Sequence, residues 1–291
     1  METTRQITLG DGRILAFAEY GRAQGRPIFF FHGWPSSRLE AEMLAGTARK
    51  LDIRLIAADR PGFGRSSFQP GRRLLDWPDD VLELAGALGL DRFAVLGVSG
   101  GGPFAAACAL KIPERLLAAG IVGGLGPLDA PGALAQMRPL NRRLATIGRR
   151  APWLFRLVAW PEIRALKRDP EGYFARAMAD MPGPDRAALA RDAIRSCLQR
   201  TGQEAFRAGS RGAALENALT ARPWGFHPED IAMEVQLWHG QLDRNAPAAM
   251  GRFVAAAIPN CRAHFYEDEG HLSLLVNHQE AILGALGEAG E

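Results

Sequence analysis

Four short, nearly continuous apolar runs, residues 28–31, 53–58, 93–98 and 116–122, recur through the first half of the chain with helix-like stretches between them. A strand with one wet face alternates polar and apolar residues, whereas a run that is apolar throughout is buried on both sides. Such runs alternating with helices describe a parallel sheet covered on each face. Ahead of them, residues 7–9 and 14–20 read as two short strands joined at Asp11-Gly12, a dipeptide that tolerates the positive φ of a hairpin turn. From 123 to 225 the strand rhythm stops. Amphipathic stretches take over, broken by Pro131, Pro139, Pro152, Pro161, Pro170, Pro182 and Pro184. The rhythm returns at 235–238, passes through a helix near 248–257, reappears at 264–266 and ends in a helix from about Leu272. The expectation is an α/β chain with a mostly parallel eight-stranded sheet, its core divided between 1–122 and 226–291, and a helical cap inserted at 123–225.

The chain can bury such a core: of 291 residues, 47% are hydrophobic and 23% charged. Its 35 basic and 32 acidic residues leave a formal charge of only +3, without a basic arm, so no nucleic-acid partner is expected. Cys108, Cys197 and Cys261 are odd in number and widely spaced, which suits buried thiols better than a disulfide framework or a zinc site. The N-terminus lacks an apolar signal core and no stretch approaches a membrane span. A cytoplasmic location is therefore expected.

The chemistry begins at Gly97-Val98-Ser99-Gly100-Gly101, which closes the 93–98 run and opens a helix. Gly-x-Ser-x-Gly between strand and helix forces its central residue into a strained turn and projects the hydroxyl from the sheet. A nucleotide loop fits less well. There is no Gly-Lys-Ser/Thr, and Ser99 stands where a dinucleotide fingerprint needs its middle glycine. Ser99 is thus the expected nucleophile, with the Gly100 N–H at a helix start offered to an oxyanion. His32-Gly33-Trp34-Pro35 follows the 28–31 run, the place from which a second donor would come. Pro35 has no N–H, so the Trp34 N–H is the expected donor, and the Trp34 side chain is expected to touch substrate. His32 is read as a structural, hydrogen-bonded imidazole.

Asp243 follows the 235–238 run and His271 follows the 264–266 run, giving Ser, Asp and His in chain order, each just past a strand end. Glu267, Asp268 and Glu269 are nearer to His271 in sequence. An acid on the same turn reaches the far ring nitrogen poorly, so Asp243 is the expected orienting acid. His239 is read as lying within a buried strand, His227, His264 and His278 have no acidic or cysteine partners at metal-ligand spacing, and neither a metal nor another cofactor is expected.

On these residues the chain resembles the α/β-hydrolase superfamily from the first hairpin to the last helix. His32-Gly33-Trp34-Pro35 with Gly97-Val98-Ser99-Gly100-Gly101 resembles serine carboxylesterases and the related cofactor-free perhydrolases, and the loop Asp59-Arg60-Pro61-Gly62-Phe63-Gly64-Arg65-Ser66 is similar to one in capped members, where it is read as a structural turn. The resemblance implies acyl transfer through a Ser99 acyl-enzyme. Haloalkane dehalogenases and epoxide hydrolases carry a carboxylate at the position of Ser99, and proline iminopeptidases need acidic groups where segment 138–168 has nine basic residues and one acid, Glu162.

The expected activity is hydrolysis of a small-molecule carboxylic ester. Carbon–carbon bond hydrolysis, lyase chemistry, cofactor-free oxygenation and a slow-turnover ligand receptor stay open on the same triad. The arginine-rich segment is read as a solvated face, so membrane contact is not expected. Trp153, Phe155, Trp160, Tyr173 and Phe174 are read mainly as packing between cap and core. Oligomeric state, acyl length and stereopreference are not specified by the sequence.

Overall fold

The computed structural model describes residues 4–128 and 132–288; Pro131, read above as a helix breaker, lies outside them. The described residues form one eight-stranded sheet from β1 (Arg5–Thr8), β2 (Ile14–Gly21), β3 (Arg26–Phe31), β4 (Ile53–Ala58), β5 (Phe93–Val98), β6 (Leu116–Val122), β7 (Val235–Gly240) and β8 (Cys261–Tyr266), in the order β1-β2-β4-β3-β5-β6-β7-β8. β1 and β2 form the hairpin, with Gly12 at φ +84°. β2 runs antiparallel to β4, and every later pairing is parallel.

Continuous apolar runs behave as two-sided strands do. In β3, Phe29 and Phe31 join a core with Trp77 and Phe104 on one face, while Ile28 and Phe30 join Leu96, Leu274 and Leu283 on the other. The strand order reverses beside β3: β4 lies on one side and β5 on the other. At such a switch the loops leaving two neighbouring strands diverge, and a crevice opens at the carboxyl ends. The loops that start at His32 and Ser99 flank this crevice.

Between β6 and β7 the described chain forms six helices, Pro139–Arg150, Phe155–Arg168, Pro170–Ala179, Gly183–Leu189, Asp192–Ala205 and Arg211–Thr220. The prolines start these elements rather than break them. Pro139, Pro152, Pro170 and Pro184 stand in the first two positions of their helices or 3-10 turns, where a missing N–H costs nothing, and Pro182 is an N-cap. Pro161 departs from the sequence reading altogether, because the Phe155–Arg168 helix runs through it. The carbonyl deprived of a donor is four residues back at Leu157, a residue that is itself 73% exposed. Cys108 and Cys197 are buried as expected, but Cys261, on the edge strand β8, is only half-buried. Among the described residues no helix is long and apolar enough to cross a membrane.

Buried charge fastens these helices to the sheet. Arg60, wholly inaccessible, sets Nε and Nη2 on the two carboxylate oxygens of Glu216 at 2.8 and 2.5 Å, and Arg72 reaches the same carboxylate at 2.7 Å. Arg60 also donates to the carbonyls of His32 (2.6 Å) and Gly33 (3.2 Å), so the loop after β3 is held from behind. A second bridge runs from Asp59 through Arg38 to Glu204. Removing one member of a buried ionic group strands the others without water. Glu216→Ala is expected to lower unfolding stability by about 3–5 kcal/mol in a urea titration; a loss within that of an ordinary surface substitution would show that the cluster is not holding the two layers together.

Candidate active site

Ser99 sits on the turn after β5 with φ +54°, a region that costs a non-glycine residue on the order of 1–3 kcal/mol. Its neighbours explain how the turn is held. A Cβ on Gly101 would lie 2.1 Å from the Phe31 carbonyl oxygen, and one on Gly97 would lie 2.4 Å from the Gly101 oxygen. These positions can only be glycine, and backbone packs on backbone. The Gly102–Lys111 helix starts directly beyond. A Cβ on Gly100 would be 2.6 Å from Trp34 Cβ and 3.2 Å from Trp34 N, so the two segments that carry the expected oxyanion donors are in contact. Among the described residues the Trp34 N–H has no acceptor.

Asp243 lies past β7 with its carboxylate wholly buried. Its Oδ1 accepts the N–H groups of Asn245 (2.8 Å) and Ala246 (2.9 Å), which turns Oδ2 toward His271 Nδ1 at 2.6 Å. His239 steadies the same loop through Nε2, 2.8 Å from the Ala246 carbonyl. The closer acids are turned elsewhere: Glu269 takes Asn277 and His278, while Glu267 and Asp268 are exposed. Gly123, at φ +52°, ends β6 just behind the pair, and a Cβ there would come within 3.3 Å of His271 Nδ1. Burial disfavours the imidazolium of His271, but the Asp243 carboxylate outweighs it, with Asp185 and Glu40 adding to the effect, and the pKa sits above the ordinary 6.5.

His32 takes the structural part. Its Nε2 accepts the Arg60 N–H and its Nδ1 donates to the Gly33 carbonyl, while burial and the Arg60 charge hold its pKa well below 6.5. The ring is neutral and fully used.

Two acids at the site carry no motif by which the sequence could have revealed them. Asp185, on the Gly183–Leu189 helix, accepts the N–H groups of His271 (3.0 Å), Leu272 (2.9 Å) and Ser273 (2.9 Å). It caps the helix that His271 opens, satisfying three otherwise orphaned donors, and so fixes the main chain of the imidazole from outside its own strand. Glu40 is buried behind the Trp34 loop. It accepts the Gly33 N–H at 2.6 Å, and burial pushes its carboxyl above the usual range although Ser36, Gly33 and Arg60 pull the other way.

Ser99 and His271 both line a cavity of about 240 Å³. Its wall is mostly apolar, with Trp34, Leu128, Leu144, Phe155, Ile163 and Phe206 among the lining, and a few amides such as Asn141 and Asn245. The Trp34 ring is anchored by its Nε1–H to the Ala213 carbonyl (3.1 Å) and lies edge-on to Phe155, 5.7 Å between centroids. Tyr173 lines the cavity and Phe174 packs against it. Trp153 and Trp160 do not pack between layers at all; they are 77% and 58% exposed, on the outer side of the helical layer.

Residues 26–278 match the family described as alpha/beta hydrolase fold, and the chain belongs to that family. A non-heme chloroperoxidase of Streptomyces lividans is 34% identical over 125 residues, 42% of this chain and 45% of that protein. A bifunctional esterase/perhydrolase of Acinetobacter calcoaceticus is 32% identical over 126 residues, 42% of this chain and 45% of that protein. Each match spans less than half the relative's length. The solved structure of a thermophilic esterase from Thermogutta terrifontis superposes with a TM-score of 0.68 at 23% identity, covering 100% of both chains.

The Asp185 contacts lead to a separable expectation. An amide at 185 keeps one acceptor oxygen for Leu272 and Ser273 but turns an NH₂ toward the His271 N–H. Asp185→Asn is expected to lower kcat by about ten- to a hundredfold through misplacement of the imidazole. Because a negative charge near the imidazolium is lost, the acid limb of the rate profile should also move to lower pH. Thermal unfolding together with a kcat/KM profile checks both; reduced stability with an unmoved limb would make Asp185 a helix cap and nothing more.

Proposed function

We propose that this protein is a serine hydrolase of small carboxylic esters, with residues 123–225 as a cap over the site. One observation carries the reading: a serine held at positive φ on a strand-to-helix turn shares an apolar cavity with a histidine whose far nitrogen is 2.6 Å from a buried carboxylate. In the proposed reaction Ser99 Oγ attacks the ester carbonyl carbon as its proton passes to His271 Nε2, and the carbonyl π pair moves onto oxygen. The Trp34 and Gly100 N–H groups receive that oxyanion. As the carbonyl re-forms, the bond to the alkoxy group breaks and His271 returns the proton to the leaving oxygen. Water, deprotonated by His271, then releases the acid and restores Ser99. Asp243 holds the tautomer with the proton on Nδ1 and stabilises the imidazolium.

The cavity supports a modest apolar acyl or alkoxy group, with Trp34 in contact with it. A second reading concerns only the last step. The relatives named chloroperoxidase and esterase/perhydrolase favour an acyl-enzyme that hydrogen peroxide as well as water can open, yielding a peracid and free Ser99.

Ser99→Ala is expected to abolish fluorophosphonate labelling and the turnover of p-nitrophenyl esters while leaving the melting temperature within a few degrees of the parent. Asp243→Asn should lower kcat by up to about 10⁴ by favouring the wrong tautomer. In the parent, kcat/KM should rise with pH through a limb above about 6.5, since His271 must be neutral to accept the proton and its pKa is raised. Full turnover by Ser99→Ala would sink the reading, and peracid formation under added peroxide would decide the second.

A further inference from the structure

The Phe155–Arg168 helix and the turn before it present two unlike faces. Inward, Phe155, Ala159 and Leu166 are buried and Glu162 and Ile163 line the cavity. Outward, Leu157 and Trp160 stand three positions apart on the helix and Trp153 lies on the turn just before it, and the three are 73%, 58% and 77% exposed. Among the described residues the one other exposed large hydrophobic side chain is Leu242, at 42%. Large apolar side chains gathered on water mark a surface that something covers. On this helix stand Arg156, Arg164 and Arg168, and at the end of the helix before it Arg149 and Arg150, all exposed and none in an ion pair among the described residues; the Arg164 guanidinium lies 5.2 Å over the Trp160 ring. The single acid of segment 138–168, Glu162, faces the cavity and does not neutralise this rim.

We propose that this face docks the protein peripherally on a bilayer surface that carries anionic phospholipid headgroups. Trp153, Leu157 and Trp160 enter the boundary between headgroups and acyl chains, where an aromatic ring with one polar edge is best solvated. The arginines lay their stems along the same boundary and keep their guanidinium groups on lipid phosphates. Charge selects this occupant over a second copy of the chain. A two-fold dimer through this face would press one basic rim against an identical one. The expectation of no membrane contact rested on the arginines alone, which a solvated face would show equally; the exposed tryptophans are the added fact. Docking does not depend on Ser99 being a nucleophile, so the two proposals can fail separately.

The test is sedimentation of the full chain with sucrose-loaded vesicles at low salt, using phosphatidylcholine alone and phosphatidylcholine with about one-third phosphatidylglycerol. Binding to the anionic vesicles is expected to be at least about tenfold tighter, to weaken with added salt, and to shift tryptophan emission to the blue. Trp153→Ser with Trp160→Ser should reduce that binding by about tenfold or more while leaving turnover of a soluble short-chain ester unchanged. Arg149, Arg150, Arg156 and Arg164 changed together to Gln should remove the preference for anionic lipid, and Ser99→Ala should bind like the parent. Absence of vesicle binding at low salt, or binding indifferent to the tryptophan substitutions, overturns the proposal. So does a concentration-dependent dimer in sedimentation velocity that the double tryptophan variant abolishes, with no vesicle binding, which would assign the face to a second copy.

Discussion

Where Gly101 passes the end of β3, one added carbon would sit 2.1 Å from the Phe31 carbonyl oxygen. No side chain fits there, and the turn after β5 therefore lies directly on the loop after β3. The same contact continues one residue back, where Gly100 meets Trp34, and it is this double approach that makes a positive φ at Ser99 tolerable. Strain of a few kcal/mol persists only where neighbours leave the chain no other path. Arg60 completes the enclosure by holding the His32 and Gly33 carbonyls, and Glu40 by holding the Gly33 N–H. The geometry that would bind an oxyanion is thus a property of main-chain packing, set before any substrate arrives.

Electrostatics at His271 follow from the same crowding. Three carboxylates act on one imidazole: Asp243 directly, Asp185 through the main chain it caps, and Glu40 from beyond the Gly33 loop. Each favours the imidazolium, which in the proposed reaction would assist proton uptake from the Ser99 hydroxyl while narrowing the pH range in which the ring is neutral. Burial opposes them. Glu40 is the softest member, because its own carboxyl is pushed up by burial and takes a proton before an ordinary acid would.

The sheet could be read from sequence because its information is local. A run such as 93–98 is apolar at every position, and burial on both faces follows from that run alone. That Ser99, Asp243 and His271 come near one another was legible for a related reason: each stands in the loop past a strand, and the carboxyl ends of parallel strands lie along one edge of the sheet. Asp185 and Glu40 were not, because neither lies in a pattern; their partners are backbone N–H groups 86 and 7 residues away, which only the folded chain brings near. Prolines in the helical segment misled in an instructive way. Read as breaks, Pro139, Pro152, Pro170, Pro182 and Pro184 fall at element starts, while the Phe155–Arg168 helix runs through Pro161 and the helices from Asp192 and Arg211 begin without a proline. The outward turn of Trp153 and Trp160 was illegible too, since a tryptophan is more often buried and helical phase cannot be fixed across 3-10 turns.

The helical layer proposed above as a cap is tied to the sheet unevenly. Glu216 on the Arg211–Thr220 helix holds Arg60, Asp185 on the Gly183–Leu189 helix holds the chain at His271, and Ala213 anchors the Trp34 ring. The start of the Pro139–Arg150 helix is pinned as well, by Arg138 N–H on the Arg244 carbonyl and by Asn141 on Asn245. Each of these contacts belongs to the site or to its supporting loops, so lifting the whole cap would dismantle what it covers. The Phe155–Arg168 helix is different. Its polar contacts, Lys167 to the Phe206 carbonyl and Gln203 to the Leu166 carbonyl, stay within the cap, and its main packing partners are other cap helices. Phe155, Ile163 and Leu166 on it form part of the cavity wall, and it makes none of the hydrogen bonds around Ser99 and His271. The main chain around Ser99 is therefore held through the other helices, and the strain there would relax if the loops on either side of it were freed.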